Sequence, residues 1–135
     1  ERSKWQYPFA SLVRSGATLA MGSDWSVSSA NPLWEMHVPV NRSAPSAYEY
    51  GGATGEPFLP DERIDLATAL AGFTINSAFV NHLDDLTGSI EVGKRADLAV
   101  LDRDVFAHPV EEIADASVVL TFVEGERVFD AERPG

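Results

Sequence analysis

The sequence contains no cysteine. A disulfide framework and a thiolate-bound metal are therefore excluded, and this composition is typical of a reducing compartment, so we expect a cytoplasmic protein. Long apolar runs are also missing, whereas a helix that crosses a membrane needs about 20 largely apolar residues in a row. The sequence thus favours neither a disulfide-stabilised secreted domain nor a membrane-spanning helix.

Positive charge is scarce as well. The chain has 10 Lys and Arg against 21 Asp and Glu, which gives a net charge of −11. Binding to nucleic acid or to an anionic membrane surface would need a basic stripe, and here the cations are scattered. We therefore predict no nucleic-acid partner and no membrane partner. With 135 residues, 44% of them hydrophobic, the chain can build one or two small cores.

The familiar arrangements of catalytic and metal-binding side chains are absent too. The three histidines, His37, His82 and His108, form neither a His-x-His pair nor a pair four residues apart that could hold zinc. We interpret each of them as an ordinary surface or half-buried residue. The sequence also lacks the Gly-x-Ser-x-Gly motif of a serine nucleophile.

Residues 88–94 show the glycine and lysine spacing of a phosphate-binding loop. Arg95, however, occupies the position of the Ser or Thr that would hold magnesium, and a helix precedes the segment where a strand is required. We therefore reject nucleotide binding and predict a turn with glycines at positive φ and a solvated Lys94.

The first half of the chain predicts helices around one buried strand. Apolar spacing predicts a helix over residues 7–15, and small apolar side chains on both faces predict an interior strand over 17–22. A second helix is predicted over 33–42, with Pro39 expected to kink or end it. Residues 43–60 have no periodicity and predict a long loop that could act as a lid.

In the second half, helices give way to strands. Asp65 is expected to cap one helix, and a second helix is predicted from Thr74 or Asn76 through Leu83. From about residue 88 the apolar period becomes two, with a hairpin turn at 124–126 and strands predicted over residues 98–101, 118–123 and 127–130. The change suggests two structural units, residues 1–86 and 87–135.

Asp24 is the candidate functional residue. It lies two residues after the predicted strand and precedes a loop rich in Ser, Asn and Pro. A carboxylate at the carboxyl end of a buried strand is where parallel α/β enzymes place their active sites. The alternative is that this side chain only caps a turn.

Three segments together resemble the metal-dependent amidohydrolases, in particular their YtcJ-like branch. They are Gly-Ser-Asp-Trp-Ser-Val at 22–27, Phe-Thr-Ile-Asn-Ser-Ala at 73–78 and Gly-Ser-Ile-Glu-Val-Gly-Lys-Arg-Ala-Asp-Leu-Ala-Val-Leu-Asp at 88–102. The similarity extends from about Tyr7 to Asp130, in the family's order and spacing.

This resemblance implies an α/β fold. Residues 1–86 would be the carboxyl-terminal part of a (β/α)8 barrel, with 17–22 as its eighth strand followed by the closing helices. Residues 87–135 would be the carboxyl-terminal strands of a small composite β-sandwich. A complete barrel needs about 250 residues, and the chain begins at Glu1 rather than Met, so we expect a fragment.

The resemblance also implies roles for individual residues. Asp24 would approach a divalent metal, with zinc expected, and exchange protons with the attacking water. Trp25, Ser26 and Asn31 would border a small-molecule substrate. The parent reaction would be hydrolysis of a non-peptide C–N bond, and the fragment alone would be inactive because the family's other metal ligands are not in this sequence.

Two further expectations concern assembly. Barrel helices and an unpaired strand would expose apolar surface, so we expect a homo-oligomer. The alternative to an enzyme fragment is a noncatalytic association module that retains part of the fold.

Overall fold

The computed structural model describes residues 2–48 and 56–133. The described residues form four α-helices: α1 (Phe9–Arg14), α2 (Pro32–Asn41), α3 (Leu66–Phe73) and α4 (Ile75–Val80). They also form three strands, β1 (Leu98–Leu101), β2 (Val118–Val123) and β3 (Glu126–Asp130), and the 3-10 helices Pro60–Glu62 and Val110–Asp115. A further 3-10 turn spans Arg2–Trp5. The three strands predicted for the second half of the chain are confirmed to within one residue.

Local signals set the helix ends. The side chain of Asn31 accepts a hydrogen bond from the Leu33 N–H at 3.0 Å, and that of Asp65 accepts one from the Thr68 N–H at 2.7 Å. Both are N-caps, which satisfy N–H groups that have no partner inside the helix. Pro39 does not end α2. It lies in the last turn, and the helix continues to Asn41 and stops where Arg42 adopts φ 58°.

The predicted strand over residues 17–22 is not formed. Its backbone groups bond to α3 and to α4 side chains instead: the Met21 N–H donates to the Gly72 carbonyl at 2.9 Å, and Asn76 donates to the Leu19 carbonyl at 3.0 Å. The prediction of two covered faces is also wrong, because Leu19 and Met21 are half-buried while Thr18 and Ala20 are exposed. A strand requires a neighbouring strand, and no described segment pairs with this one.

The three strands form an antiparallel sheet in the order β1-β2-β3. The turn between β2 and β3 is made by Glu124 at φ 52° and Gly125 at φ 85°, and positive φ at both central residues is the geometry that matches the strand twist. The predicted hairpin is confirmed.

A short segment from the second half of the chain completes the core. Ile113, in Val110–Asp115, is 1% exposed and packs with Met36 and Val40 of α2 and with Ile64, Leu66 and Ala69. Trp34 and Asn41 donate hydrogen bonds to carbonyls of this segment. This helix was not predicted, and its packing joins residues on both sides of the division at residue 86. Among the described residues, no helix is long and apolar enough to cross a membrane.

Candidate active site

A cavity of about 870 Å³ lies beside Asp24. Its wall is formed by the segment before and after Asp24, by α2, by residues 43–48 and by several aromatic side chains. We call it the aromatic cavity, because six rings line it: Tyr7, Phe9, Trp34, Tyr48, Phe58 and Phe73. Part of the predicted lid loop therefore borders this cavity, whereas its residues 49–55 lie outside the described part of the chain.

Asp24 lies on the wall of the aromatic cavity and is exposed to solvent. Its backbone adopts φ 52°, a left-handed conformation that Asp tolerates better than most residues. Two hydrogen bonds fix the turn around it: the Val27 N–H donates to the Asp24 carbonyl at 2.8 Å, and the Ser28 hydroxyl donates to the Ser23 carbonyl. The carboxylate is thus presented on a constrained turn, free to bind a ligand.

The other predicted site residues are not brought to this cavity. Trp25 is 72% exposed, and neither it nor Ser26 lines the wall. The side chain of Asn31 is used as the N-cap of α2. None of the three lines the aromatic cavity, and their contact with a substrate stays a prediction.

A second carboxylate, that of Glu35 in the first turn of α2, also lines the cavity. Burial raises its pKa, although hydrogen bonds from the Ser28 hydroxyl and the Ser29 backbone partly oppose that shift. Ser28 therefore contacts both Glu35 and the turn that carries Asp24. The sequence did not predict Glu35 as a site residue. Its only distinguishing feature in the sequence is its position in the first helical turn after Asn31-Pro32, and an acidic residue there is normally explained by a favourable interaction with the helix dipole.

Arg42 was missed as well. The residue is 5% exposed, and its guanidinium donates to the carbonyls of Phe58 at 2.8 Å, Tyr7 at 3.1 Å and Gln6 at 3.2 Å. Its charged carbon also lies 5.5 Å from the ring centre of Phe9 and 5.7 Å from that of Phe58. Burial lowers its pKa, and the negative charge of Glu62 opposes that shift. Arg42 joins three segments of the cavity wall.

The donor atoms of this chain do not make a complete metal centre. Among residues 2–48 and 56–133, no group of three or more His, Cys, Asp or Glu side chains is placed to hold an ion. Zinc sites normally use at least three protein ligands. Asp24 fits the role of a single ligand, and a whole site would need donors from outside the described residues.

The glycine-rich segment 88–94 forms a turn between α4 and β1. Gly88 and Gly93 adopt φ 89° and 97°, as predicted. Lys94 is not solvated, however: its side chain is 13% exposed, forms an ion pair with Glu91 at 3.4 Å and donates to Ser89 at 2.6 Å. The lysine is engaged within its own turn, because the carboxylate three residues earlier lies within reach.

The three histidines do not converge. His82 and His108 are exposed, in agreement with the sequence. His37 is 4% exposed, which corrects the prediction of a surface or half-buried residue, and its Nδ1 lies 3.2 Å from the Asn41 amide nitrogen. It lies on the side of α2 that packs against Val110–Asp115. A neutral imidazole can be buried there because the Asn41 amide, one turn later, is its hydrogen-bond partner.

Comparison with known proteins identifies the family. Residues 1–129 match the model of the family described as "Amidohydrolase family". The chain belongs to the amidohydrolase family. The expected resemblance is therefore confirmed.

Curated relatives support this assignment. The chain is 34% identical over 126 residues to the protein LONG AFTER FAR-RED 3 of Arabidopsis thaliana, covering 93% of this chain and 20% of that protein. It is 33% identical over 129 residues to an N-substituted formamide deformylase of Arthrobacter pascens, covering 96% and 22%. The putative amidohydrolase YtcJ of Bacillus subtilis is 25% identical over 130 residues, covering 96% and 24%. The amidohydrolase chain thus spans only about a fifth to a quarter of these relatives.

Solved structures agree on the fold. An adenosine deaminase from Xanthomonas campestris, determined with bound zinc, superposes with a TM-score of 0.65 at 23% identity, covering 91% of this chain and 28% of that one. The amidohydrolase chain therefore has the fold of part of such a protein, as a small α/β unit with a three-stranded antiparallel sheet. Its relatives include enzymes named for hydrolytic removal of formyl or amino groups.

Proposed function

We propose that this amidohydrolase chain is the carboxyl-terminal segment of a longer metal-dependent hydrolase that cleaves a non-peptide C–N bond. Residues 1–86 would be the last strand and closing helices of the barrel, and residues 87–135 the carboxyl-terminal strands of the small β-sandwich. The short share of each relative that the chain covers supports this proposal. The exposure of Ala17, Thr18, Ala20 and Gly22 is also what a strand that has lost its neighbours would show.

The observation that carries the proposal is the exposed carboxylate of Asp24 on the wall of the aromatic cavity. In the proposed reaction Asp24 accepts the proton of the attacking water and returns it to the leaving amine, which is general base and then general acid chemistry. When bound, a divalent metal, which we propose to be zinc, would lower the pKa of the attacking water towards about 7. Because Asp24 offers only one ligand, other parts of the longer protein would hold that ion, and this chain alone would not turn over substrate.

The test compares variants of the longer protein. Asp24→Asn removes the proton-accepting carboxylate at nearly constant volume, and we expect kcat to fall by about 100-fold or more on an N-substituted amide substrate. Asp85→Asn is the matched control, since Asp85 is an exposed carboxylate outside the cavity. Metal content per chain would be measured on all three proteins.

Undiminished turnover by Asp24→Asn would remove this residue from the mechanism. A second outcome would favour the noncatalytic alternative: a longer protein that is folded and monodisperse, holds no metal and hydrolyses no amide in the panel. The 135-residue chain alone should show no hydrolysis above background in either case.

A further inference from the structure

The direction in which Asp24 presents its carboxylate is set by the two peptide groups on either side of its Cα. On the amino-terminal side, the Ser23 carbonyl accepts a hydrogen bond from the Ser28 hydroxyl. On the carboxyl-terminal side, the Asp24 carbonyl accepts one from the Val27 N–H at 2.8 Å, and the Trp25 N–H donates to the Ser23 hydroxyl at 3.3 Å. Because a residue has only two soft backbone dihedrals, holding both peptide groups also holds the direction of the Cα–Cβ bond of Asp24.

Ser28 differs from the other two donors because it also connects this turn to α2. The other two bonds lie within the turn itself, whereas the carboxylate of Glu35 accepts hydrogen bonds from the Ser28 side chain and from the Ser29 backbone. Glu35 belongs to the first turn of α2, where Leu33 and Met36 are buried. The position of the turn is thereby fixed relative to a helix that packs in the core.

The backbone conformation of Asp24 makes this support necessary. Its φ of 52° lies in the left-handed region, which is sparsely populated by residues other than glycine. Such a conformation persists where the surrounding structure holds it in place. Asp24 is exposed, so packing of its own side chain contributes little to that hold. Loss of the Ser28 hydrogen bond should therefore let the backbone relax and move the carboxylate.

From this arrangement we infer that Ser28, anchored on Glu35, is a positioning residue that holds the carboxylate of Asp24 where it can reach a metal ion and the attacking water. The inference rests on the proposed function for the role of Asp24. It adds two residues that act through Asp24 and do not themselves touch the reacting atoms. Removing a group that orients a metal ligand typically costs about 10–100-fold in metal affinity or activity.

The test uses the longer protein and two readouts, turnover of an N-substituted amide and the Kd for zinc from competition with a chelator. Ser28→Ala removes the hydroxyl, and we expect kcat to fall about tenfold, KM to stay within about twofold and the zinc Kd to rise about tenfold. Ser28→Thr keeps the hydroxyl and should bring kcat and the zinc Kd back to within about threefold of the unmodified protein.

Ser15→Ala is the matched control. The Ser15 hydroxyl also donates to a backbone carbonyl, that of Leu12 at 2.7 Å, but it lies outside the cavity wall. Its loss should leave kcat and the zinc Kd unchanged. Unchanged values in Ser28→Ala, or losses in Ser28→Thr as large as those in Ser28→Ala, would overturn the inference.

The anchoring role of Glu35 is tested in the same protein. Glu35→Gln keeps an oxygen for the Ser29 N–H and an amide that can bond to the Ser28 hydroxyl, so we expect at least about half of kcat to remain. Glu35→Ala removes both contacts and should cost about as much as Ser28→Ala. Equal losses in the two Glu35 variants would overturn this part, because the charge would then matter rather than the contacts.

A double variant separates positioning from a general loss of structure. If Ser28 acts through Asp24, Ser28→Ala should lower kcat no further in a protein that already carries Asp24→Asn. Losses that multiply would overturn the inference. Undiminished turnover by Asp24→Asn would reject the proposed reaction, and the zinc Kd of Ser28→Ala would still decide the positioning role: an increase supports it and no change overturns it.

Discussion

His37 is a buried residue of α2, on the side that faces Val110–Asp115. Burial lowers its pKa, and the nearby charges of Asp115 and Glu111 only partly oppose the shift. Between the lowered value and the ordinary value of 6.5, the unfolded chain binds a proton that the folded chain does not. The free energy of unfolding should therefore fall as the pH drops through this window, by at most about 1.4 kcal/mol per pH unit.

Urea unfolding measured at about pH 7.5 and about pH 5.5 checks this dependence. His37→Gln should lose the part of the slope that comes from the imidazole, whereas His108→Gln, at an exposed site, should keep it. The raised pKa of Glu35 changes the free energy of unfolding with pH in the opposite direction. Because Glu35 is present in the unmodified chain and in both variants, its contribution cancels in the comparison. A slope that survives in His37→Gln would contradict the assignment.

Gly88 is the second residue with a measurable individual role. Its φ is 89°, and a Cβ there would lie 2.7 Å from the Ala78 Cβ and 2.9 Å from the Ile75 Cα. Gly93 has a similar φ of 97° but open space around it. We expect Gly93→Ala to cost about 1 kcal/mol, from the left-handed backbone alone, and Gly88→Ala about 2–4 kcal/mol, because a contact with α4 backbone must also move.

Both glycine variants are compared by urea unfolding of the chain. Equal costs would mean that the turn moves away from α4 without penalty. The difference between the two costs therefore measures how firmly this turn is held against α4.

At the scale of elements, Arg42 connects the end of α2 to the segments at 6–7 and 58. Arg42→Lys keeps the positive charge and the left-handed position, but an ammonium cannot reach three carbonyls in three directions. We expect a loss of about 2–4 kcal/mol in the free energy of unfolding. Arg14→Lys, at an exposed site 3.7 Å from Glu62, is the control and should cost less than about 1 kcal/mol. Equal costs would contradict the role of Arg42.

The elements that the sequence predicted well are those determined by local signals. Asp65 caps α3, and positive φ at Glu124 and Gly125 closes the hairpin. The segment 17–22 does not form the predicted strand in this chain, because strand formation depends on a distant partner that the residues themselves do not reveal. The helix Val110–Asp115 was missed for a related reason: its burial comes from packing on α2, about 70 residues away.

At the scale of the whole molecule, the candidate site shows the same limit. Asp24 could be singled out as a candidate because a short motif surrounds it. Glu35 and Arg42 could not, since their roles depend on α2, residues 43–48 and Phe58 lining one cavity. Neither the sequence nor the structure gives a full set of metal ligands, because the described residues include no cluster of three or more donor side chains.

Apolar side chains are exposed on the sheet, and we propose that the chain self-associates through them. Val128 and Phe129 of β3 are 60% and 44% exposed, and β3 has one free edge within the described sheet. Such an edge with apolar side chains pairs readily with another chain.

Sedimentation velocity at increasing concentration should show species larger than 14.6 kDa. Val128→Lys should weaken association by about tenfold, since a charge on an edge strand opposes pairing, whereas Val92→Lys, in the exposed turn before β1, should have little effect. A monomer at every concentration would refute the proposal, and equal effects of the two lysines would place the contact away from β3.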